Sequence, residues 1–485
     1  PARVTRQICQ HLFQVLRGRD HMVFANSRSR VEEVADLLRS NCERAGIPNE
    51  FFPHHGSLSK DLRESVEAAL KDPTRPTTAV ATSTLEMGVD VGTVTSIAQI
   101  GPPPSVASLR QRLGRSGRRG EPAILRAYTS ETAVDPRTAF TDQLRNTLVQ
   151  TTAMLQLLLE GWCEPPDPAL LHTSTLVQQI LSAVAQHGGV TPAHAYSQLC
   201  GSGGPFTGTS PERFGRLLRA LARRHMIEQV PDGTLLLGEA GDRIVNHYDF
   251  YAAFKTPKEY RLLHAGQQIG TKPIDFPLRA GDLLIFGGRR WKVTDVDARK
   301  RRIDLTPTSG GRPPLFGGDT PDIHDHVRSR MRILLAGTDV PTFLDPTARD
   351  LLAEGRTAYS SLQLHTRSCL AATDESSLLF VWAGTRTSHT LAQLLRRRSI
   401  PADVDGLQIT CEAGLDHTLI ALRDILHGPP VDPVELAAQV DLKPMNKHDH
   451  LLDDRLLDED YGLRAFDIPA AHTVAARILR EQGRY

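Results

Sequence analysis

Between Met22 and Tyr128 five short β-rich runs, MVFAN, FFPH, TTAVAT, VTSIAQI and AILRAY, alternate with stretches of helical periodicity. In one of these stretches, SRVEEVADLLRSNCERAG, the spacing places Val31, Val34, Leu37 and Leu38 on a single face. Strand and helix alternation of this kind predicts a parallel sheet covered by helices on both faces, because a parallel neighbour is reached only through a crossover. In such sheets the loops at the carboxyl ends of the strands bear the ligands. The chemistry of this part of the chain is therefore expected just after each strand.

A chain of 485 residues exceeds what one hydrophobic core supports, so the alternating region accounts for one domain among several. The expected organisation is multidomain α/β: a parallel-sheet domain over residues 1–160, a winged-helix domain over 165–250 and an α+β, partly β-barrel domain over 251–485. The second expectation rests on three helical runs, VQQILSAVAQ, TPAHAYSQLC and PERFGRLLRALARRH, followed by a hairpin turning at Asp232 and Gly233. The Pro-rich WCEPPDPALL reads as the linker before it. The third rests on strand-like runs (LLIFGGRRWKVTDVD, RRIDLTP, SLLFVWAGT) mixed with helical ones (SHTLAQLLRRRS, VDPVELAAQV).

Hydrophobic residues make up 40% and charged residues 23%, with no apolar run near the roughly 18 residues a membrane span needs, so neither a disordered nor a membrane-embedded chain is expected. Six scattered cysteines form no CxxC pair, which argues against a zinc or disulfide framework and fits a reducing, cytoplasmic setting. The chain opens at Pro1 with no signal peptide, directly ahead of a helix-like stretch, and reads as a fragment or processed piece. Net charge is only +1, so any grip on nucleic acid must come from local arginine clusters.

The densest such cluster is QRLGRSGRRG, residues 111 to 120. Arg112, Arg115 and Arg118 recur every third residue and are expected on one helical side, while Gly114 and Gly117 leave room for another backbone. Such a cluster is either a solvated face or a phosphate site. Phosphoryl transfer is accelerated mainly by positioned positive charge, and an arginine finger is worth about 10³- to 10⁵-fold. Three further stretches at strand ends bear on the choice: VFANSRSR (23 to 30), HHGSLSKDLR (54 to 63) and TSTLEMGVD (82 to 90).

Four stretches in this order resemble the second motor domain of superfamily 2 nucleic-acid helicases. More narrowly, QIGPPPSVASLRQRLGRSGRRG, FKTPKEYRLLHAGQQIG, IFGGRRWKV and PPLFGG resemble the large helicase-related (Lhr) group, over most of residues 20 to 360. The resemblance implies a RecA-like fold for residues 1–160 and a catalytic arginine pair, Arg115 and Arg118, with Arg118 the finger. It implies nucleotide contacts from Gly88, Asp90 and Gln111, and contacts to the backbone of a loaded strand from Ser27, Arg28, Gly56 and Thr82. It further implies ATP and Mg²⁺ as cofactors, and single-stranded DNA or an RNA–DNA hybrid as partner. The activity implied is 3′ to 5′ helicase or translocase activity, connected with DNA repair. Thr82 and Asp90 have a plainer reading as capping or turn residues.

One expected element is missing from the sequence. No GxxxxGK followed by Ser or Thr occurs, and GQQIGTK at 266 to 272 has the wrong spacing. Neither Asp374–Glu375 nor Asp458–Glu459 ends a buried strand in a motor pattern. Half an ATP site is therefore expected, to be completed by a first RecA-like motor domain in cis or in trans, and the chain alone is expected to be inactive. The rival is a non-catalytic nucleic-acid-binding scaffold or regulator that retains a motor half.

Other residues have two readings each. Arg213, Arg216, Arg219, Arg223 and Arg224 lie on a helix whose Leu217, Leu218 and Leu221 are buried; the helix either meets nucleic acid or packs on the motor domain. Trp291, between Arg290 and Lys292, either stacks on an unpaired base or is core. His324/His326 and His448/His450 have metal-pair spacing without further ligands nearby, so no metal is expected on this chain.

Overall fold

The computed structural model describes residues 2–86, 92, 94–117, 122–135, 138–167, 170–254, 259–273, 283–286, 289–297, 300–308, 322–440, 443 and 446–483. In chain order, α1 (Ala2–Leu16), β1 (His21–Ala25), α2 (Arg28–Arg44), β2 (Phe51–His54), α3 (Lys60–Ala69), β3 (Thr78–Ala81), β4 (Ser96–Ile100), α4 (Val106–Leu113) and β5 (Leu125–Tyr128) build the alternating region. Helices α5 (Phe140–Gln143) and α6 (Asn146–Leu159) follow. Next come α7 (Thr173–His187), α8 (Pro192–Leu199), α9 (Pro211–Arg223), β6 (Ile227–Gln229), β7 (Leu235–Leu237) and α10 (Glu239–Val245). Strands β8 (Glu259–His264), β9 (Gln267–Pro273), β10 (Leu283–Phe286), β11 (Arg289–Asp297) and β12 (Arg302–Pro307) precede α11 (Asp325–Ala336) and α12 (Pro346–Ser361). The rest is β13 (Cys369–Thr373), β14 (Ser376–Phe380), α13 (Thr385–Arg396), β15 (Ala402–Asp405), β16 (Gln408–Cys411), α14 (Leu415–His427), α15 (Pro433–Ala438), α16 (Asp454–Ala465) and α17 (Ile468–Glu481).

These elements form two compact units, each drawn from two stretches: 1–164 with 257–365, and 165–256 with 366–485. Residues 251–485, expected as one domain, are thus shared between the units.

In the first unit β1 to β5 make an all-parallel sheet in the order β2-β3-β1-β4-β5. Every residue of β1, β3 and β4 is buried, as strands covered on both faces must be. The pleat divides them: Val23, Ala25, Val80 and Ala98 pack with Val31, Val34 and Leu38 of α2 on one face. Met22, Phe24, Ala79, Ala81 and Ile97 pack with Val66, Leu70 and Leu85 on the other. The same unit holds a second five-stranded sheet, β10-β11-β12-β8-β9, antiparallel except for the β12–β8 pair. Its core of Tyr260, Leu262, Phe286, Trp291, Val293, Ile303 and Leu305 also takes in Leu58 from the loop after β2.

In the second unit α7, α8 and α9 pack with the β6–β7 hairpin around Leu181, Phe214, Leu221 and Leu235. Thr191 and Ser210 accept from the amides of His194 and Arg213 and precede Pro192 and Pro211, so α8 and α9 each begin with a hydroxyl cap and a helix-compatible proline. The hairpin turns through Gly233 at φ 89°, with Asp232 accepting from the Thr234 amide. The remainder is a four-stranded antiparallel sheet, β13-β14-β16-β15, sharing a core with α13, α14 and α17. Among the described residues no helix is long and apolar enough to cross a membrane.

Candidate nucleotide and nucleic-acid interface

Because β1 to β4 run parallel, their carboxyl ends share one edge of the sheet. That edge gathers Asn26 to Arg28, His55 to Ser57, Thr82 to Glu86, and Gly101 with the helix α4 behind it. Three of the four stretches singled out in sequence therefore meet at this edge; the fourth runs back to the start of β4, where the Val94 amide donates to Arg115 O, and joins the others through its arginine side chains.

The link between them is Arg112, only 2% exposed. Its Nε and Nη2 donate to Glu86 Oε2 at 3.0 and 2.9 Å, its Nη1 donates to Gln99 Oε1, and its guanidinium carbon lies 4.7 Å from the Phe24 ring centre. Burial pushes its pKa below the ordinary arginine value, against the opposing pull of Glu86. Gln99 in turn donates to Asn26 Oδ1 at 3.3 Å, and Asn26 donates to Pro102 O at 2.6 Å. One polar chain thus joins the ends of β1, β3 and β4.

The expectation that Arg112, Arg115 and Arg118 share a helical side does not hold. Helix α4 stops at Leu113 with Gly114 as its cap, so Arg112 points into the core while Arg115 lies beyond the helix. Arg115 is half-buried, and its Nη2 donates to the Glu86 carbonyl at 2.9 Å. Glu86 therefore holds one arginine by its side chain and the next by its backbone. Gln111 is exposed on α4. Gly117 does make the close approach expected of it: at φ 77° a Cβ there would lie 2.5 Å from Ala123 N. Gly114 does not, since its φ is −61° and a Cβ would meet only ordinary contacts at 3.4 Å or more. Arg118, Gly88 and Asp90 lie outside the described residues.

On the other side of the edge, Ser27 caps α2 by accepting from the Arg30 amide at 3.2 Å. Thr82 makes no capping bond with its side chain, so the plainer capping role is not what it does. Two histidines fix the loop after β2. His54 meets Thr84 Oγ1 at 2.9 Å and Glu67 Oε1 at 3.0 Å, and His55 meets Glu32 Oε1 at 2.7 Å. Burial lowers the His54 pKa, opposed by its bond and charge pairing with Glu67. A Cβ on Gly56 would meet nothing within 4 Å, which leaves its backbone facing open space. Arg28 is 40% exposed, and its Nη1 donates to Ser57 Oγ and, at 2.7 Å, to Glu259 Oε1.

The structure bears on three further sets of residues. Trp291 is 4% exposed and its indole N–H donates to Phe286 O at 2.7 Å, so it offers no face to a base and is core. On α9, Arg213 and Arg216 both pair with Glu459, Arg223 pairs with Asp453, and Arg224 donates to Leu452 O. That face of the helix packs on residues 452 to 459; Arg219 remains exposed. His324 caps α11 through the His326 amide, with both rings against Trp162, and His450 meets Lys447 O, so neither histidine pair is arranged about a common ion. Asp374 and Glu375 form the turn of the β13–β14 hairpin.

Sequence reasoning passed over Glu86, Gln99, Asn26 and Glu259. Glu86 had a signal, a carboxylate inside TSTLE directly after a buried strand; Glu259 had none, being remote in sequence from the arginine it meets.

Residues 4–120, the span that contains all four stretches, match the helicase conserved C-terminal domain family. The chain is 32% identical over 356 residues, 64% of its length, to the Lhr helicase/uracil glycosylase of Escherichia coli. It is 25% identical over 350 residues, 62% of its length, to the Lhr helicase/probable uracil glycosylase of Mycolicibacterium smegmatis. The chain carries the C-terminal helicase domain of an Lhr-type superfamily 2 helicase. These matches span 22% of each curated relative. Among solved structures, the Lhr-type fold extends beyond the helicase domain. The Mycobacterium smegmatis helicase Lhr, determined with ssDNA and AMP-PNP, superposes over 98% of this chain and 65% of its own, with a TM-score of 0.61 and 20% identity.

Proposed function

We propose that the chain supplies the second motor half and accessory nucleic-acid-binding domains of an ATP-dependent helicase that moves 3′ to 5′ on DNA or on one strand of an RNA–DNA hybrid, in DNA repair. Residues 1–160 act as the RecA-like second motor domain, 165–250 as a winged helix and 251–485 as the Lhr-type C-terminal region, with a barrel-like sheet. The observation that carries this reading is the meeting of three motif stretches at the carboxyl edge of the parallel sheet, tied to the fourth through the bonds of Arg112 and Arg115 to Glu86, in a sequence without a phosphate-cradling GxxxxGK loop.

The residues present suit half of an ATP site. Arg115 stands at the rim, half-buried, and Gln111 is exposed beside it, while Arg118, Gly88 and Asp90 complete the set by sequence. ATP with Mg²⁺, bound chiefly by a first RecA-like domain in cis or in trans, would supply the phosphoryl group. What this chain contributes is positive charge toward the γ-phosphate from Arg115 and Arg118. Glu86 fixes where that charge stands. Ser27, Arg28, Gly56 and Thr82 contribute hydroxyl, guanidinium and amide donors, which grip a phosphate backbone without reading sequence.

The test is Arg118→Ala in the complete two-domain motor. A group that meets the γ-phosphate chiefly in the transition state depresses kcat when removed, with little change in nucleotide affinity. Full strand-stimulated ATPase in that variant would show that the arginine cluster is a solvated face, and no ATPase in the wild-type motor would favour a scaffold.

A further inference from the structure

The second sheet of the first unit does more than pack near the loop after β2: its strand β9 forms a β-bridge with that loop. Leu58 pairs antiparallel with Gly270 of β9. The Thr271 amide donates to Ser57 O at 2.7 Å and the Ser59 amide to Ile269 O at 3.4 Å. Leu58 is buried in the sheet's own core. A Cβ on Gly270 would lie 2.4 Å from Ser57 O and 2.2 Å from the Phe286 ring, so the close approach requires glycine. This pairing delivers Glu259, at the start of β8, to Arg28. One carboxylate oxygen accepts from Arg28 Nη1 at 2.7 Å, and the other accepts from the Thr271 hydroxyl. The Glu259 side chain is 17% exposed and that of Arg28 is 40% exposed.

We infer that Glu259 is an acidic latch on the strand-binding edge, which neutralises Arg28 until the phosphate of a single strand displaces it. The inference rests on the proposed function, in which Arg28 grips the nucleic-acid backbone. Arg28 lies beside the open Gly56 backbone, where a phosphate and the Glu259 carboxylate are interchangeable acceptors for one guanidinium. A partly exposed ion pair of this kind is weak enough to be exchanged, whereas a buried one such as Arg112–Glu86 is not. The latch also links the second sheet to strand loading, because Thr271 belongs to the same β9 that pairs with Ser57 and Leu58.

The experiment is a double-mutant cycle on the full chain, reading fluorescence anisotropy of a fluorescein-labelled oligothymidylate from about 50 to 200 mM salt. Glu259→Gln keeps the shape and removes the charge. It should tighten binding about three- to tenfold at low salt and steepen the log–log salt dependence by about one unit, as one more released counterion requires. In an Arg28→Ala background the gain should vanish. Thr271→Val, which only loosens Glu259, should give a smaller gain of the same sign. Unchanged or weaker binding by Glu259→Gln overturns the latch, and so does a gain that persists without Arg28, since it would then reflect net charge alone. Absence of binding by every variant, wild type included, instead refutes the nucleic-acid reading and the latch with it.

Discussion

Arg112 offers the sharpest test of how the motor edge is held together. The change Arg112→Met removes a guanidinium that is 2% exposed and leaves three groups without a partner: the Glu86 carboxylate, the Gln99 amide oxygen and the face of Phe24. Breaking a buried ion pair by deleting one member costs about 3–5 kcal/mol, mostly because the other charge is stranded. Loss of the ring contact adds about 0.5–2 kcal/mol. At about 1.4 kcal/mol per factor of ten, the opening of β1 and β4 should become roughly 300- to 10⁵-fold more frequent. Since the chain consists of two units, one global unfolding energy is poorly defined, and amide hydrogen exchange read by mass spectrometry over 21–25 and 94–113 is the suitable assay. The double variant Arg112→Met/Glu86→Leu removes both charges and should recover most of the loss, whereas Arg112→Lys, which cannot reach Glu86 and Gln99 together, should fall between. Exchange within about threefold of wild type in Arg112→Met, less than 1 kcal/mol, would refute the reasoning. So would a double variant as damaged as the sum of the two single ones.

Gly117→Ala should cost at least about 1–3 kcal/mol locally, since φ 77° and a Cβ 2.5 Å from Ala123 N are both prohibitive, and exchange at 115–117 and 122–125 should rise while that of the second unit stays unchanged. Gly270→Ala should part the second sheet from the loop after β2; the signature is faster exchange at Ser57 to Ser59 and at Ile269 to Thr271 together, and a change confined to one of them would contradict the pairing. His21 is buried with its Nδ1 2.8 Å from Ser96 Oγ, and burial lowers its pKa from 6.5 to about 4. Between those two values the unfolded chain binds more protons than the folded one, so stability is full above about pH 6.5 and declines as pH falls toward 4. His21→Gln should flatten that acid limb in exchange over β1, and an unchanged slope would show that other groups set it.

How much was legible in the sequence depended on the range of the interaction. The parallel sheet was legible because its strands are short, apolar and separated by a periodic helix, a signal carried within each stretch. The motor edge was legible as a list of residues but not as a geometry. The three-residue repeat of arginines suggested one helical side, yet the helix ends at Leu113, so neighbours at 112 and 115 face core and rim respectively. Trp291 misled for a related reason: its basic neighbours made it look exposed, while in an alternating strand the exposed Lys292 beside it takes the opposite face. Glu259 and Glu459 were invisible, since each meets its arginine across more than two hundred residues of sequence, and no local pattern marks such a pairing.

The interleaving of the two units has a consequence for synthesis. A ribosome finishes residue 164 long before residue 365, by roughly 10 to 40 s at about 5–20 residues per second. Within that interval Leu58 has no sheet to enter until β8 to β12 (259–307) follow, and Gln150 lacks the Arg328 that donates to it until residue 328 is made. The parallel sheet can form early, but the loop after β2 stays unpinned until β9 emerges. The second unit is likewise opened by 165–256 and closed only once residues beyond 366 follow. Nascent chains of this protein should therefore pass through a prolonged half-closed stage, in which the apolar Leu58 side chain on the loop after β2 is open to chaperones and to mispairing with another chain's strand.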